Sequence, residues 1–145
     1  MSEDPEESLG DGTWFLDGAA GTVSMARDRT RGFLGTCPLP ISAQACADAL
    51  LLVSELVANA VRHAPGPCAL SLNLTQRALI IAVSDTAPTL PAPRAPDLRA
   101  GGGGFGWTLL RQLSQAVDVQ SHPGEGKTIT ARLAIVPSGA SGSGA

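Results

Sequence analysis

Three polar side chains recur at four-residue intervals in residues 50–64, LLLVSELVANAVRHA. Glu55, Asn59 and His63 therefore stack on one face of a helix, with Arg62 beside them. A carboxamide oxygen can ligate Mg²⁺, a carboxylate can accept a proton, and the cationic side chains can approach phosphate groups. This polar face suits a metal-bound polyphosphate, although a solvated stripe on an amphipathic helix has the same pattern.

An aspartate follows the most apolar run of the chain. Asp85 lies just beyond ALIIAV at residues 78–83. A carboxylate at the end of a strand can accept a hydrogen bond from an exocyclic amine such as that of adenine. Taken alone, however, the sequence Asp-Thr-Ala-Pro favours a simple turn.

The glycine-rich run GGGGFG at residues 101–106 opens the last predicted helix. Backbone amides at a helix N-terminus, with no Cβ atoms in the way, form a site for phosphate groups. The run follows no strand and precedes no Gly-Lys-Ser/Thr sequence, which excludes a dinucleotide fingerprint and a P-loop. A hinge or linker is the alternative, but a linker rarely leads directly into an amphipathic helix, so phosphate binding is favoured.

A further motif, GEGKTIT at residues 124–130, leads into the last predicted strand. A threonine hydroxyl at this place can support the edge of a base. Taken alone, the motif is better interpreted as a turn followed by an ordinary strand.

Hydrophobic periodicity predicts the elements that position these residues. The predicted strands are 13–17, 69–74, 78–83, 117–120 and 128–135, and the predicted helices are 22–34, a long helix that Ser42 caps and that runs to about Ala64, and 105–117. Residues 76–77 fit a tight hairpin between two of the strands. Helices that are segregated from the strands predict the α+β class, as a two-layer α/β sandwich with a mixed, mostly antiparallel sheet and the helices on one face.

Length and composition predict one domain in this chain of 145 residues. Residues 1–12 are acidic and are expected to be disordered, 13–136 form the domain, and 137–145 form a flexible tail. Residues 86–104 form a long loop with four prolines.

Charge and cysteine content exclude several classes of protein. Five of the thirteen acidic residues lie within the first twelve positions, so the remaining chain has ten basic and eight acidic side chains. This small surplus, without clusters, argues against direct nucleic-acid binding. The three cysteines show no CxxC spacing and predict no metal framework. With a polar N-terminus and apolar runs too short for a membrane span, we expect a soluble cytoplasmic protein without membrane contact.

The order of the motifs resembles the N, G1, G2 and G3 boxes of the GHKL (Bergerat-fold) ATP-binding superfamily, which includes histidine kinases, gyrase B, Hsp90 and MutL. The motifs that carry the resemblance are Glu55-x-x-x-Asn59-Ala60-x-x-His63-Ala64, Asp85, Gly102-x-Gly104-x-Gly106 and Gly126-x-Thr128. In its single domain and in the segments SELVANAVRHA, VSDTAPTLP and GGGGFGWTLL, the chain most resembles the stand-alone anti-sigma factor serine kinases of actinobacterial type. The resemblance covers residues 13–136.

The resemblance implies ATP and Mg²⁺ as cofactors and a role for each motif. It implies that Glu55 is the general base that activates a hydroxyl of a protein substrate and that Asn59 coordinates Mg²⁺. It implies that Asp85 binds the adenine amine with support from Thr128. The implied phosphate ligands are the amides of Gly102, Gly104, Phe105 and Gly106, with Arg62 and His63 as secondary candidates. Residues 86–104 correspond to the ATP lid.

The implied activity is that of a serine/threonine protein kinase that phosphorylates an anti-anti-sigma (STAS-type) partner and acts on transcription through a sigma factor. Related kinases are often homodimers. The sequence departs from the superfamily at Asp85-Thr86-Ala87-Pro88, where Asp-x-Gly-x-Gly is usual, and it has no hairpin carrying a phosphoacceptor histidine. Two alternatives stay open: a nucleotide-gated protein-binding regulator without catalysis, and an interaction domain that has lost ATP.

Overall fold

The computed structural model describes residues 7–64, 66–86 and 103–135. The strands are β1 (Gly10–Leu16), β2 (Cys68–Leu74), β3 (Ala78–Asp85), β4 (Ala116–His122) and β5 (Gly126–Ala134). The helices are α1 (Thr22–Gly35), α2 (Ala43–His63) and α3 (Gly103–Leu113).

The five strands form one sheet in the order β1-β2-β3-β5-β4. All four pairings of neighbouring strands are antiparallel. The predicted α+β class is confirmed, and the sheet is antiparallel throughout the described strands rather than mixed. Because β3 and β5 are antiparallel neighbours, the C-terminal end of β3 meets the N-terminal end of β5, with Asp85 opposite Lys127.

One face of the sheet packs against the helices. Strand β2 alternates between buried and half-buried residues, with Leu70, Leu72 and Leu74 buried. Helix α2 contributes the buried side chains of the same core, which include Leu52, Val53, Leu56 and Val57. Apolar side chains recur every two residues along the strands and every three to four residues along the helix. The two sets therefore pack together in a single apolar layer.

Local hydrogen bonds fix the ends of these elements as the sequence predicts. The Ser42 Oγ accepts a hydrogen bond of 3.0 Å from the Ala45 amide, so the predicted cap of α2 is confirmed. The Thr75 amide donates to the Ala78 carbonyl over 2.8 Å, which closes the predicted hairpin between β2 and β3. Helix α1 is joined to α2 by a hydrogen bond of 2.8 Å from Arg27 Nη1 to Ser54 Oγ.

Two predicted boundaries differ from the structure by three residues or more. Helix α3 ends at Leu113 rather than at residue 117, because Val117 lies in β4 and packs its side chain against the core. The Gln115 amide already donates to the Arg132 carbonyl over 2.7 Å, so the chain has joined the sheet before the predicted helix end. Strand β1 begins at Gly10 and so includes three residues of the N-terminal segment that is predicted to be disordered.

Helix α2 also has the length and composition of a membrane span, with a mean hydropathy of 1.4, contrary to the expectation that every apolar run is too short. A core helix of a soluble protein meets the same criterion, and α2 packs its apolar side on the sheet. We therefore interpret α2 as the core helix of this domain.

Candidate functional site

A buried ion pair lies where β3 ends and β5 begins. The Lys127 Nζ is 2.7 Å from the Asp85 Oδ2, and the two side chains are only 2% and 1% exposed. Asp85 shares the core-facing side of β3 with Val83 and Ile81, since alternate residues of a strand point the same way. The Asp85 carboxylate therefore lies on the side of the sheet that the helices cover.

Glycine at position 126 allows the two strands to come this close. Its φ is +100°, a conformation that side chains with a Cβ rarely adopt. A Cβ atom built on Gly126 would lie 1.9 Å from the Asp85 carbonyl oxygen. The residue before Lys127 must therefore be glycine for β5 to begin beside Asp85.

A cysteine completes the row of side chains at this end of the sheet. Cys68 begins β2 beside the end of β3 and is buried. Burial raises the pKa of the Cys68 thiol, and the negative charges of Asp85 and then Asp17 raise it further. The thiol is thus kept protonated next to a carboxylate that is already paired with a cation.

Thr128 lies on the other face of the sheet. Its side chain is directly opposite Ser84, and the two hydroxyl oxygens are 2.7 Å apart. The His122 Nε2 is 3.0 Å from the same Thr128 oxygen. The predicted support of Asp85 by the Thr128 hydroxyl is therefore not what this geometry gives, because neighbouring residues of a strand point in opposite directions.

The polar face of α2 has the arrangement that its spacing predicts. Glu55 and Asn59 are half-buried and lie one helical turn apart, next to the fully buried Leu56 and Ala60. Arg62 and His63 are exposed in the last turn of the helix. The carboxylate and the carboxamide are therefore partly shielded from water, whereas the two cationic candidates face solvent.

The start of α3 supplies the predicted amides. The helix begins at Gly103, so Gly104, Phe105 and Gly106 lie in its first turn, where amides have no acceptor within the helix. The positive end of the helix dipole adds to the attraction for an anion. Gly102 and residues 87–101 of the predicted lid lie outside the described residues.

Lys127 is the residue that the sequence interpretation missed. It is the only lysine of the chain, and it occurs at the start of a strand in which every second residue is apolar. That alternation, counted back from Ile129, places Lys127 on the core side. A lone lysine at an inward position was thus a detectable signal for a buried partner.

The antiparallel sheet covered by helices, with a buried acid at the end of β3, defines a two-layer sandwich of the GHKL ATPase kind. Residues 19–133 match the family described as Histidine kinase-like ATPase domain, and the chain belongs to this family. Membership implies ATP binding and confirms the resemblance that the ordered motifs indicated.

A solved structure has a similar fold. The crystal structure of the RsbU and RsbW domains of Rv1364c from Mycobacterium tuberculosis matches with a TM-score of 0.65 at 18% sequence identity. The match covers 89% of this chain but 34% of that one, so this chain spans about a third of the length of Rv1364c in that structure. At this identity the likeness concerns the fold alone. No curated protein matches the chain.

Proposed function

We propose that this protein is an ATP- and Mg²⁺-dependent serine/threonine protein kinase of the anti-sigma factor type. The observation that carries the proposal is the pair Glu55 and Asn59, half-buried and one turn apart on α2 of a histidine kinase-like ATPase domain. A plain amphipathic helix needs neither a carboxylate nor a carboxamide at the border of its buried face.

The residues fit the two ligands. Asp85 is the acceptor for an exocyclic amine of the base, and the first-turn amides of α3 are donors for phosphate oxygens. Asn59 offers Mg²⁺ the neutral oxygen that this ion accepts from proteins when phosphates and water complete its shell. Within the described part of the chain no three His, Cys, Asp or Glu side chains form a metal cluster, and Mg²⁺ held in this way needs none.

The chemistry is transfer of a phosphoryl group from ATP to a hydroxyl oxygen of a protein, which releases ADP. Glu55 accepts the proton that leaves the attacking hydroxyl. Bound Mg²⁺ supplies neutralisation of the charge that develops on the phosphate oxygens. The α3 amides and Asn59 hold the phosphates in line with that hydroxyl, so positioning provides much of the rate.

The proposed protein substrate is an anti-anti-sigma (STAS-type) protein, and the proposed downstream partner is a sigma factor. The support is the fold that this chain shares with a structure that contains an RsbW domain. Phosphorylation of the partner would then decide whether this kinase holds the sigma factor. A homodimer belongs to the same proposal.

The decisive experiment is isothermal titration of Mg-ATP into the wild-type protein and into Asn59→Ala. We expect saturable binding to the wild type and loss of binding in the variant. Gln44→Ala is the matched control, because Gln44 is an exposed amide on the same helix that contacts Asp48. Absence of binding to folded wild-type protein would contradict the proposal and favour the interaction domain without nucleotide.

Catalysis is tested separately with Glu55→Gln, which keeps the shape of the side chain but removes its basicity. We expect ATP binding within about twofold of wild type and at least a hundredfold loss of phosphate transfer to the partner. Transfer by Glu55→Gln at the wild-type rate would show that Glu55 is not the base. Binding without transfer by the wild type would identify a nucleotide-gated regulator.

A further inference from the structure

The exposed side of α2 is more apolar than its packing on the sheet requires. Its 18-residue apolar window has a mean hydropathy of 1.4, but only 39% of that window is buried. Ala47 is exposed, and Leu51 is a large apolar side chain that is 37% exposed. From residue 43 to residue 54, Asp48 is the only charged side chain, and it accepts a hydrogen bond of 2.9 Å from Gln44. A helix that is apolar beyond its buried side indicates that a further surface covers it.

The exposed apolar side chains continue the row that carries the proposed catalytic groups. This row, spaced four residues apart on one ridge of α2, is Ala47, Leu51, Glu55 and Asn59. Leu51 lies one turn before Glu55, about 6 Å along the helix axis, and Asn59 lies one turn after it. The apolar ridge, formed by Ala47 and Leu51, therefore ends at the carboxylate that is proposed as the base.

In-line transfer fixes the side from which the protein substrate arrives. The attacking hydroxyl and the leaving ADP lie on opposite sides of the transferred phosphoryl group. Because Asn59 holds Mg²⁺ and the phosphates on one side of Glu55, the protein that carries the hydroxyl lies on the other side, over Leu51. We propose that the apolar ridge is the docking site for the protein substrate, and that Leu51 packs against an apolar surface next to the phosphoacceptor hydroxyl. This inference rests on the proposed function, because it assumes the roles of Glu55 and Asn59.

A second copy of this chain is the other occupant that an exposed apolar surface can bind. A permanent interface over Leu51 would cover the approach to Glu55 and block the proposed transfer. Two exposed side chains also provide far less than the roughly 800 Å² per partner that a stable interface buries. The apolar ridge therefore suits the transient contact of a substrate rather than a permanent contact between copies.

The test measures transfer of phosphate from Mg-ATP to a STAS-type protein that the wild type phosphorylates. Leu51→Gln keeps a long side chain with a similar helix propensity but removes its apolar surface. We expect the KM for the STAS-type protein to rise about tenfold, because the apolar contact made on docking is lost. The dissociation constant for Mg-ATP, measured by calorimetry, should stay within about twofold of the wild-type value.

Met25→Gln is the matched control, because Met25 is another large apolar side chain and is 48% exposed. Met25 and Arg27 lie on either side of the buried Ala26 in α1. Since Arg27 contacts Ser54 of α2, Met25 lies on the side of α1 that is away from α2. The KM of this variant for the STAS-type protein should therefore stay within about twofold of the wild-type value.

Ala47→Glu is a second variant of the apolar ridge, and it decides the matter if Leu51→Gln does not fold. A carboxylate that docking places against an apolar surface loses water without gaining a partner. The KM should therefore again rise about tenfold or more, with unchanged binding of Mg-ATP.

Four outcomes would overturn the inference. Wild-type KM values for Leu51→Gln and Ala47→Glu would remove the docking site and leave the proposed function intact. An equal rise in KM for Met25→Gln would show that the effect is not specific to the apolar ridge. Dissociation of a wild-type dimer by Leu51→Gln, measured by analytical ultracentrifugation, would assign the ridge to contact between two copies. Absence of transfer from the wild type to any STAS-type protein of the same organism would overturn the proposed function together with the inference.

Discussion

A lysine and an aspartate with almost no exposure are the least expected pair in this small core, because taking two charges out of water costs several kcal/mol per ion. Their attraction at 2.7 Å offsets part of that desolvation penalty. Such a pair is weak evidence for stability in itself, because its net contribution depends on how well the two charges are compensated.

Removal of one partner should be far more damaging than removal of both. We expect Asp85→Asn to lower the free energy of unfolding by about 3–5 kcal/mol, because Lys127 is left charged and buried. The double variant Asp85→Asn with Lys127→Met should be more stable than the single one. Urea denaturation measures both changes.

The control for this comparison is the exposed pair Asp28–Arg31, whose side chains are 70% and 52% exposed. Asp28→Asn should change stability by less than about 1 kcal/mol. Equal effects of Asp28→Asn and Asp85→Asn would show that burial of the Asp85–Lys127 pair has no energetic consequence.

The buried thiol of Cys68 beside Asp85 makes the stability of the protein depend on pH in the alkaline range. The pKa of Cys68 is raised by burial and by the charges of Asp85 and Asp17, so the folded protein keeps this proton longer than the unfolded chain. Stability is therefore retained below the ordinary thiol pKa of about 8.5 and falls as the pH rises above it. Between pH 8 and 10 the melting temperature of Cys68→Ala should depend less on pH than that of Cys46→Ala, a variant at a half-buried position. Parallel pH profiles for these two variants would contradict this account.

At the scale of the elements, the junction of β3 and β5 depends on one glycine. β5 must begin within contact of the Asp85 backbone, and only Gly126 permits both the approach and the positive φ. The junction in turn positions Lys127. The strand start and the ion pair are therefore one structural feature.

Gly126→Ala should destabilise the protein by about 3–5 kcal/mol, because the added methyl group overlaps the Asp85 carbonyl and the φ of +100° is unfavourable for alanine. Gly124→Ala is the matched control: its φ is +78°, but a Cβ there meets nothing within 4 Å. That variant should lose only about 1–2 kcal/mol. Chemical denaturation of both variants checks the difference, and similar losses would show that strand contact at Gly126 is unimportant.

At the scale of the whole molecule, the candidates that the structure describes lie on two helices and on the sheet that these helices cover. The polar face of α2, the start of α3 and the end of β3 come from three separate parts of the sequence. A ligand that contacts all three connects elements that are distant in the chain. Binding should therefore stabilise the domain as a unit.

Mg-ATP at a hundred times its dissociation constant should add about 2.7 kcal/mol to the free energy of unfolding. For a domain of this size we expect the melting temperature to rise by about 5–10 °C. Asn59→Ala at the same ligand concentration should show no rise, and Mg²⁺ without nucleotide should have little effect on the wild type. An equal rise in both proteins would place binding away from α2.

The sequence by itself determined the features that depend on neighbours along the chain. Ser42 is predicted as a cap because its side chain reaches an amide three residues ahead, and the leucines of β2 are predicted as buried because alternation is a local property. The spacing of Glu55 and Asn59 likewise places both on one helical face, and the order of the motifs was enough to indicate the family.

Only the tertiary structure decided which distant segments meet. The end of helix α3 was misplaced because Leu113 and Val117 continue one helical spacing, while the pairing of β4 with β5 takes Val117 into the sheet. The partner of Asp85 lies 42 positions away, and the order β3-β5-β4 that brings Lys127 to it cannot be deduced from local periodicity. Strand register places Lys127, and not Thr128, on the core-facing side, because a shift of one residue along a strand reverses the direction of the side chain.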